Sequence, residues 1–271
     1  MGVPTVYSFY GYYSNNGGHY DPVDSITPNS PDPITIFDYS YLVSEYSVEV
    51  PPGMSFIGWD TSDNPTNVVY TGNQVIQPSD FAFATVTLHP VFASNVCFKE
   101  DTKILTYNSF LEKEEYVPIQ NIKTGTLIKT LKSGYVPVNT IANGKLLNFD
   151  NDDRIGKRMY KCTSDKYPEL FEDLYISGYH CILVKKLTAE QRSKCIKVQR
   201  KILFTEDMYR LPACADERAE PHRQQGLINI WHIALDNKDK KQNYGIYANR
   251  LLVESCSIDR LKNKSGLMIK N

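Results

Sequence analysis

The chain has 271 residues, 41% of them hydrophobic and 23% charged, which is enough for two modest domains, each with its own core. Its formal net charge of −1 hides a seam: residues 1–96 hold nine Asp or Glu and no Lys or Arg, and all 30 basic residues follow. No stretch approaches the ~20 apolar residues of a membrane span, and Met1-Gly2-Val3-Pro4-Thr5-Val6-Tyr7 fits neither a secretory signal nor, with Val6 in place of Ser or Thr, a myristoylation site, so a soluble chain is expected.

The acidic part, residues 1–94, is rich in Tyr, Pro, Ser, Asn and Asp. Tyr10, Tyr12 and Tyr13 beside Asn15, Asn16, Gly17 and Gly18 read either as an adaptable contact surface or as a mobile N-terminal arm, with the arm favoured. Ser47-Val48-Glu49-Val50, Val68-Val69-Tyr70 and Thr85-Val86-Thr87-Leu88-His89 alternate at period two, the pattern of half-buried strands. Pro51-Pro52-Gly53, Asp63-Asn64-Pro65 and Gly72-Asn73 mark turns between them. A small, mostly antiparallel β domain is expected, with Trp59 as a core residue in preference to a binding-site aromatic.

Three blocks of this part, Val50-Pro51-Pro52-Gly53-Met54-Ser55-Phe56-Ile57-Gly58-Trp59-Asp60, Val69-Tyr70-Thr71-Gly72 and Val86-Thr87-Leu88-His89-Pro90-Val91-Phe92, stand in one order. They resemble the Listeria–Bacteroides repeat, a β-grasp module of bacterial surface proteins, over roughly residues 45 to 92. The resemblance implies a binding or structural domain whose partner is a protein or a glycan, and nothing in it is catalytic.

After Asn95-Val96-Cys97 the texture changes to short β-branched strands separated by Lys- and Gly-containing turns. Strands are expected at 103–107, 126–130, 135–138, 173–177, 181–184, 228–233 and, as one closing segment, 244–256, with helix only near 188–193 and in the tail. Residues 95–271 thus read as an all-β domain. All six cysteines, at 97, 162, 181, 195, 214 and 256, lie here. Without a signal peptide they do not read as a disulfide scaffold, and without a C-x-x-C or H-x-x-x-H pair they do not read as a metal site. No cofactor is implied. The excess of Lys and Arg, spread through loops such as 194–201 with no nucleic-acid motif, reads as a solvated face or as a complement to the acidic part, with nucleic acid disfavoured.

Cys97 opens this part, Ser177-Gly178-Tyr179-His180 lies between two strands in its middle, and Gly245-Ile246-Tyr247-Ala248-Asn249-Arg250-Leu251-Leu252-Val253-Glu254-Ser255-Cys256 closes it. That ordered set resembles the Hint module of Hedgehog and intein self-processing proteins, across nearly all of residues 96 to 257. The Val-x-Ser-Cys ending is closer to the Hedgehog branch. Segments such as Glu172–His180 and Leu211-Pro212-Ala213-Cys214 are similar to Hint proteins of giant DNA viruses and protists.

The resemblance implies that the Cys97 thiolate attacks the Val96 carbonyl and replaces an amide by a thioester. An unperturbed thiol, with a pKa of ~8.5, is only slightly ionised near neutrality, and the departing nitrogen needs a proton. His180 suits that exchange, and Ser177, where the family has Thr, would hold the scissile amide or the developing oxyanion. Asp150, Asp152 and Asp153 lie where a supporting acid is expected, with none preferred. Cys256 is either a core thiol or a reversible disulfide partner of Cys97.

Splicing is not expected, because the tail Gly266-Leu267-Met268-Ile269-Lys270-Asn271 lacks a His-Asn pair. Sterol transfer is not expected either, since only about fifteen residues follow the Ser-Cys pair. The acyl acceptor is then water, a thiol or an amine, and β-branched Val96 slows hydrolysis. The alternative is a non-catalytic structural or adhesion protein, such as a virion component, built on a silent fold of this type.

Overall fold

The computed structural model describes residues 6–13, 19–27, 33–50, 54–62, 69–70, 72–76, 85–94, 96–148, 154, 156, 158–263 and 267–270. The chain divides into two compact units, Met1–Ala93 and Ser94–Asn271. The expected turns at 51–53 and 63–65, the Asn15–Gly18 segment and the candidate acids Asp150, Asp152 and Asp153 lie outside the described residues.

The first unit contains strands β1 (Val6–Tyr13), β2 (His19–Ile26) and β3 (Ile34–Thr35), helix α1 (Tyr39–Tyr46), and strands β4 (Met54–Asp60), β5 (Val75–Ile76) and β6 (Thr85–Ser94). Its main sheet has the order β2-β1-β6-β4, and β3 pairs with β5. The β1–β2 and β3–β5 pairs are antiparallel, as expected of a mostly antiparallel domain, and the pairing of β1 with β6, Val6 opposite Thr85 and Phe9 opposite Leu88, is a parallel exception that makes the sheet mixed.

Tyr10, Tyr12 and Tyr13 belong to β1 and are not an arm. Alternate residues Tyr7, Phe9 and Gly11 are buried, and the strand is hydrogen-bonded on both sides. Gly11 is required there, since a Cβ would stand 2.2 Å from Val48 Cγ1. Helix α1 has no counterpart in the sequence reading, because its Tyr and Val residues favour strands and its Ser residues favour turns when read alone. Asp38 caps it, accepting the Ser40 N–H at 2.9 Å, and Ser47 ends it in the left-handed region at φ 54°. Tyr39 and Leu42, three residues apart on one face, then enter a core with Tyr7, Phe9, Trp59 and Leu88.

The second unit is mainly β. Its elements are β7 (Phe98–Lys99), β8 (Lys103–Asn108), β9 (Lys113–Pro118), β10 (Leu127–Lys129), β11 (Tyr135–Asn148), β12 (Met159–Cys162), β13 (Leu174–Ser177) and β14 (Cys181–Val184), then α2 (Ala189–Gln199). There follow β15 (Phe204–Thr205), β16 (Met208–Pro212), β17 (Glu220–Pro221), β18 (Gly226–Leu235), β19 (Gly245–Ala248), β20 (Leu251–Glu254), α3 (Ile258–Asn263) and β21 (Met268–Lys270). They form one sheet in the order β15-β16-β14-β20-β19-β8-β10-β11-β18-β7-β13-β12-β17, with β9 on β8 and β21 on β11. Buried Ile104, Ile128, Ile141, Ile176, Ile182, Trp231, Ile233, Ile246 and Val253 belong to its main core.

Two features of this sheet place the residues of interest. Two-residue β7 is slotted between β13 and β18, with Phe98 opposite both Ile176 and Trp231. The closing segment, expected as one strand, is the hairpin β19–β20, turned at Asn249 (φ 46°) and Arg250 (φ 79°). Two successive left-handed residues give the tight loop whose twist matches paired strands. Asn249 fixes this loop by accepting the Lys103 N–H at 2.8 Å and donating to Asp173 O at 2.9 Å. Among the described residues no helix is long and apolar enough to cross a membrane.

Candidate active site

Phe98 sets the position of everything around Cys97. Its ring is fully buried, and its backbone is held in register on both flanks, so the preceding residue enters the interior. Cys97 is fully buried and Val96 nearly so. In the register of β7 with β13, Ser177 lies opposite Cys97. The Cys97 N–H donates to Ser177 Oγ at 2.8 Å, and the Ser177 N–H donates to Cys97 O at 3.0 Å.

The turn after Ser177 brings in His180. The His180 N–H donates to Ser177 O, the Gly178 N–H to Arg158 O and the Ala213 N–H to His180 O, so both sides of the turn are tied down. His180 is fully buried, its ring centroid 4.2 Å from that of Phe98. Its Nδ1 lies 3.2 Å from Cys97 O and its Nε2 lies 3.0 Å from Glu254 O on β20.

Two carbonyl oxygens facing one imidazole have a consequence for its protonation. A neutral ring satisfies only one of them, whereas imidazolium donates to both. Burial opposes that charge and lowers the His180 pKa below its ordinary value, while the Glu254 carboxylate and the two carbonyls push the other way. His180 therefore combines a burial that favours loss of the proton with acceptors that stabilise it, as a proton-exchanging group requires.

The carboxylate of Glu254 is anchored in turn. It accepts the Cys181 N–H at 3.2 Å through Oε1 and pairs with Arg210 Nη1 at 3.0 Å through Oε2. This buried ion pair joins β14, β16 and β20 immediately behind His180.

Cys256 follows β20. Its N–H donates to Ile233 O at 2.9 Å, and it forms a parallel bridge with Ala234. It packs with Ala142, Ala234, Ile258 and Leu261. Burial and the neighbouring Cys256 thiol push the Cys97 thiol well above its ordinary pKa, and Arg260 opposes them. Burial pushes Cys256 up to about 12. Neither forms a disulfide among the described residues. Cys97, the Ser177–His180 turn and the Glu254–Cys256 segment thus come together from three separate parts of the chain.

Sequence reasoning passed over one neighbour, His232 on β18. It is fully buried, with its ring centroid 5.4 Å from His180 and 5.7 Å from Phe98. Its Nδ1 accepts the Ile233 N–H at 3.1 Å, and among the described residues its Nε2 has no hydrogen-bond partner. Burial, with His180 and Arg260 beside it, lowers its pKa well below the ordinary value, so the ring is neutral. The available signal was a His inside the apolar run Ile228–Leu235, where a buried polar group needs a reason. Glu254 reads in the sequence only as one position of the closing strand.

Compared with known proteins, the chain matches no family model and no curated relative.

Proposed function

We propose that the second unit is a Hint-type self-processing module and that the Val96–Cys97 peptide bond is its substrate. The observation that carries this reading is the 2.8 Å hydrogen bond from the Cys97 N–H to Ser177 Oγ, made beside a buried histidine. A backbone amide at a strand start is ordinarily paired to backbone. Here it is held by a hydroxyl, at the bond that the thiol of the same residue can attack.

In the proposed reaction the Cys97 sulfur attacks the Val96 carbonyl carbon, the C–N bond breaks, and a thioester joins Val96 to the Cys97 side chain. Ser177 fixes the amide. His180 takes the thiol proton and delivers one to the departing nitrogen, a shift of attention from Cys97 O to Cys97 N across a single residue. A thiol, an amine or water then resolves the thioester. The first unit is read as a β-grasp-like module that binds a protein or a glycan and leaves with the Val96 end. Its helix, packed against a mixed sheet with parallel β1 and β6, supports that assignment.

The full chain is incubated with dithiothreitol and weighed by mass spectrometry. Fragments 1–96 and 97–271 are expected from the native sequence and none from Cys97→Ala. An intact native chain, or equal fragmentation of both, contradicts the reading.

A second reading has its own observation. Cys97 is fully buried and its thiol is held protonated, the condition of an inert core cysteine, so the same fold without cleavage would serve as a rigid structural or adhesion module. Such a chain stays intact in every thiol.

A further inference from the structure

We propose that the Nε2–H of His232 is the oxyanion donor for the Val96 carbonyl during the acyl shift to Cys97. The proposal rests on the reading of Val96–Cys97 as the scissile bond and adds a residue that the reading did not contain.

Backbone geometry supplies the first argument. The peptide bonds are trans, so the N–H and C=O of the 96–97 amide point in opposite directions. The N–H points to Ser177 on β13. Strand β7 has β13 on one side and β18 on the other, so the Val96 oxygen is directed toward β18. Ser177 is accordingly the group that holds the amide nitrogen, and the charge that develops on oxygen falls on the opposite flank.

Register supplies the second. Lys99 is opposite Ile230 and Phe98 opposite Trp231, so one step further sets Cys97 opposite His232. The Glu100 N–H donates to Asn229 O at 3.1 Å, which makes 100/229 and then 98/231 the hydrogen-bonded pairs. The 97/232 pair is of the other kind, whose side chains share a face and approach most closely. His232 therefore stands on the flank to which the Val96 oxygen is directed and on the face that carries the Cys97 thiol.

The tautomer supplies the third. A neutral imidazole that accepts at Nδ1 carries its proton on Nε2, and Nδ1 is occupied by the Ile233 N–H at 3.1 Å. The Ile233 N–H is the donor that a continued ladder would offer to Val96 O, and it is spent on the ring. What remains is one fixed Nε2–H, fully buried and without an acceptor. Buried donors left unpaired are costly and rare. A donor that meets its acceptor only when a carbonyl becomes tetrahedral is the arrangement that stabilises a transition state over a ground state.

The step balances within the chain. The Cys97 Sγ–C bond to Val96 forms, the C–N bond breaks, the thiol proton ends on the released amine, and no other reactant is consumed. His232 gives up no proton; it only donates a hydrogen bond.

Gln and Met have side chains of similar length, and only Gln carries an N–H. The full chain is therefore prepared with His232→Gln and with His232→Met, both are checked for cooperative melting, and the rate of dithiothreitol-induced cleavage is followed by intact mass. H232M is expected to cleave about 10²–10³-fold more slowly than the native sequence, and H232Q within roughly tenfold of it. Native rates in a folded H232M overturn the proposal and leave self-cleavage standing. Equal slowing of both folded variants also overturns it, because the ring then only fills space. Absence of cleavage in the native chain overturns the underlying reading and this role together.

Discussion

Two buried clusters, one in each unit, use their polar groups to opposite ends. In the first, Trp59 and Tyr39 sit in a cage of rings, Phe9 and Phe56 each with its centroid 5.1 Å from Trp59. The Trp59 Nε1–H donates to Phe37 O at 2.8 Å, and the Tyr39 hydroxyl both donates to Glu49 O and accepts the Tyr12 N–H. These polar atoms are used up by structure. In the second, an equally buried cluster of Cys97, His180, His232 and Cys256 keeps a donor without an acceptor and a ring between two carbonyls. The difference teaches that burial alone does not mark a core; what marks a candidate site is burial with hydrogen-bonding capacity left over.

The comparison is broken or sharpened by substitution on each side. His180→Ala is expected to slow thiol-induced cleavage by about 10²–10⁴-fold, the usual worth of a positioned acid or base, as read by intact mass over time. A rate within twofold of the native chain would make His180 a packing residue like Trp59. On the other side, Trp59→Ala empties the first unit's core and is expected to destabilise it by about 3–5 kcal/mol in urea unfolding. A loss under about 1 kcal/mol would mean that the ring cage is not what holds that unit together.

The smallest expected effect comes from pH. His180 and His232 both have folded pKa values below the 6.5 of a free imidazole, so the unfolded chain takes up protons that the folded chain resists. Their contribution to stability is complete above about pH 6.5 and is lost as the pH falls toward the folded values, by at most about 1.4 kcal/mol per pH unit for each ring. Urea titrations between about pH 7.5 and pH 5.5 should show this decline, with His232→Gln removing one ring's share. A flat profile would mean that the two rings are not buried in solution.

Much of the fold was legible. The local sequence pattern marked most of β6 by period-two alternation and β8, β13, β14 and β18 as β-branched runs between turn residues. It failed at α1, where a lone Asp38 cap was the only signal, and at the parallel pairing of β1 with β6, which is a long-range choice that no local pattern encodes. It also ran β19 and β20 together, because Asn249-Arg250 lacks the glycine that usually announces such a turn. At the site, Cys97, Ser177 and His180 were legible from their order along the chain. His232 was not, since its significance depends on β7 being slotted beside β18, and a register of two residues cannot be read before the sheet is assembled.

The most direct test of the account is interception of the thioester. Hydroxylamine added to the folded full chain should release residues 1–96 with a hydroxamate on Val96, identified by the mass of the C-terminal peptide of that fragment, and should leave Cys97 as a free amino terminus. A chain that remains whole under hydroxylamine, with Cys97 still joined to Val96 through its amide, would contradict it.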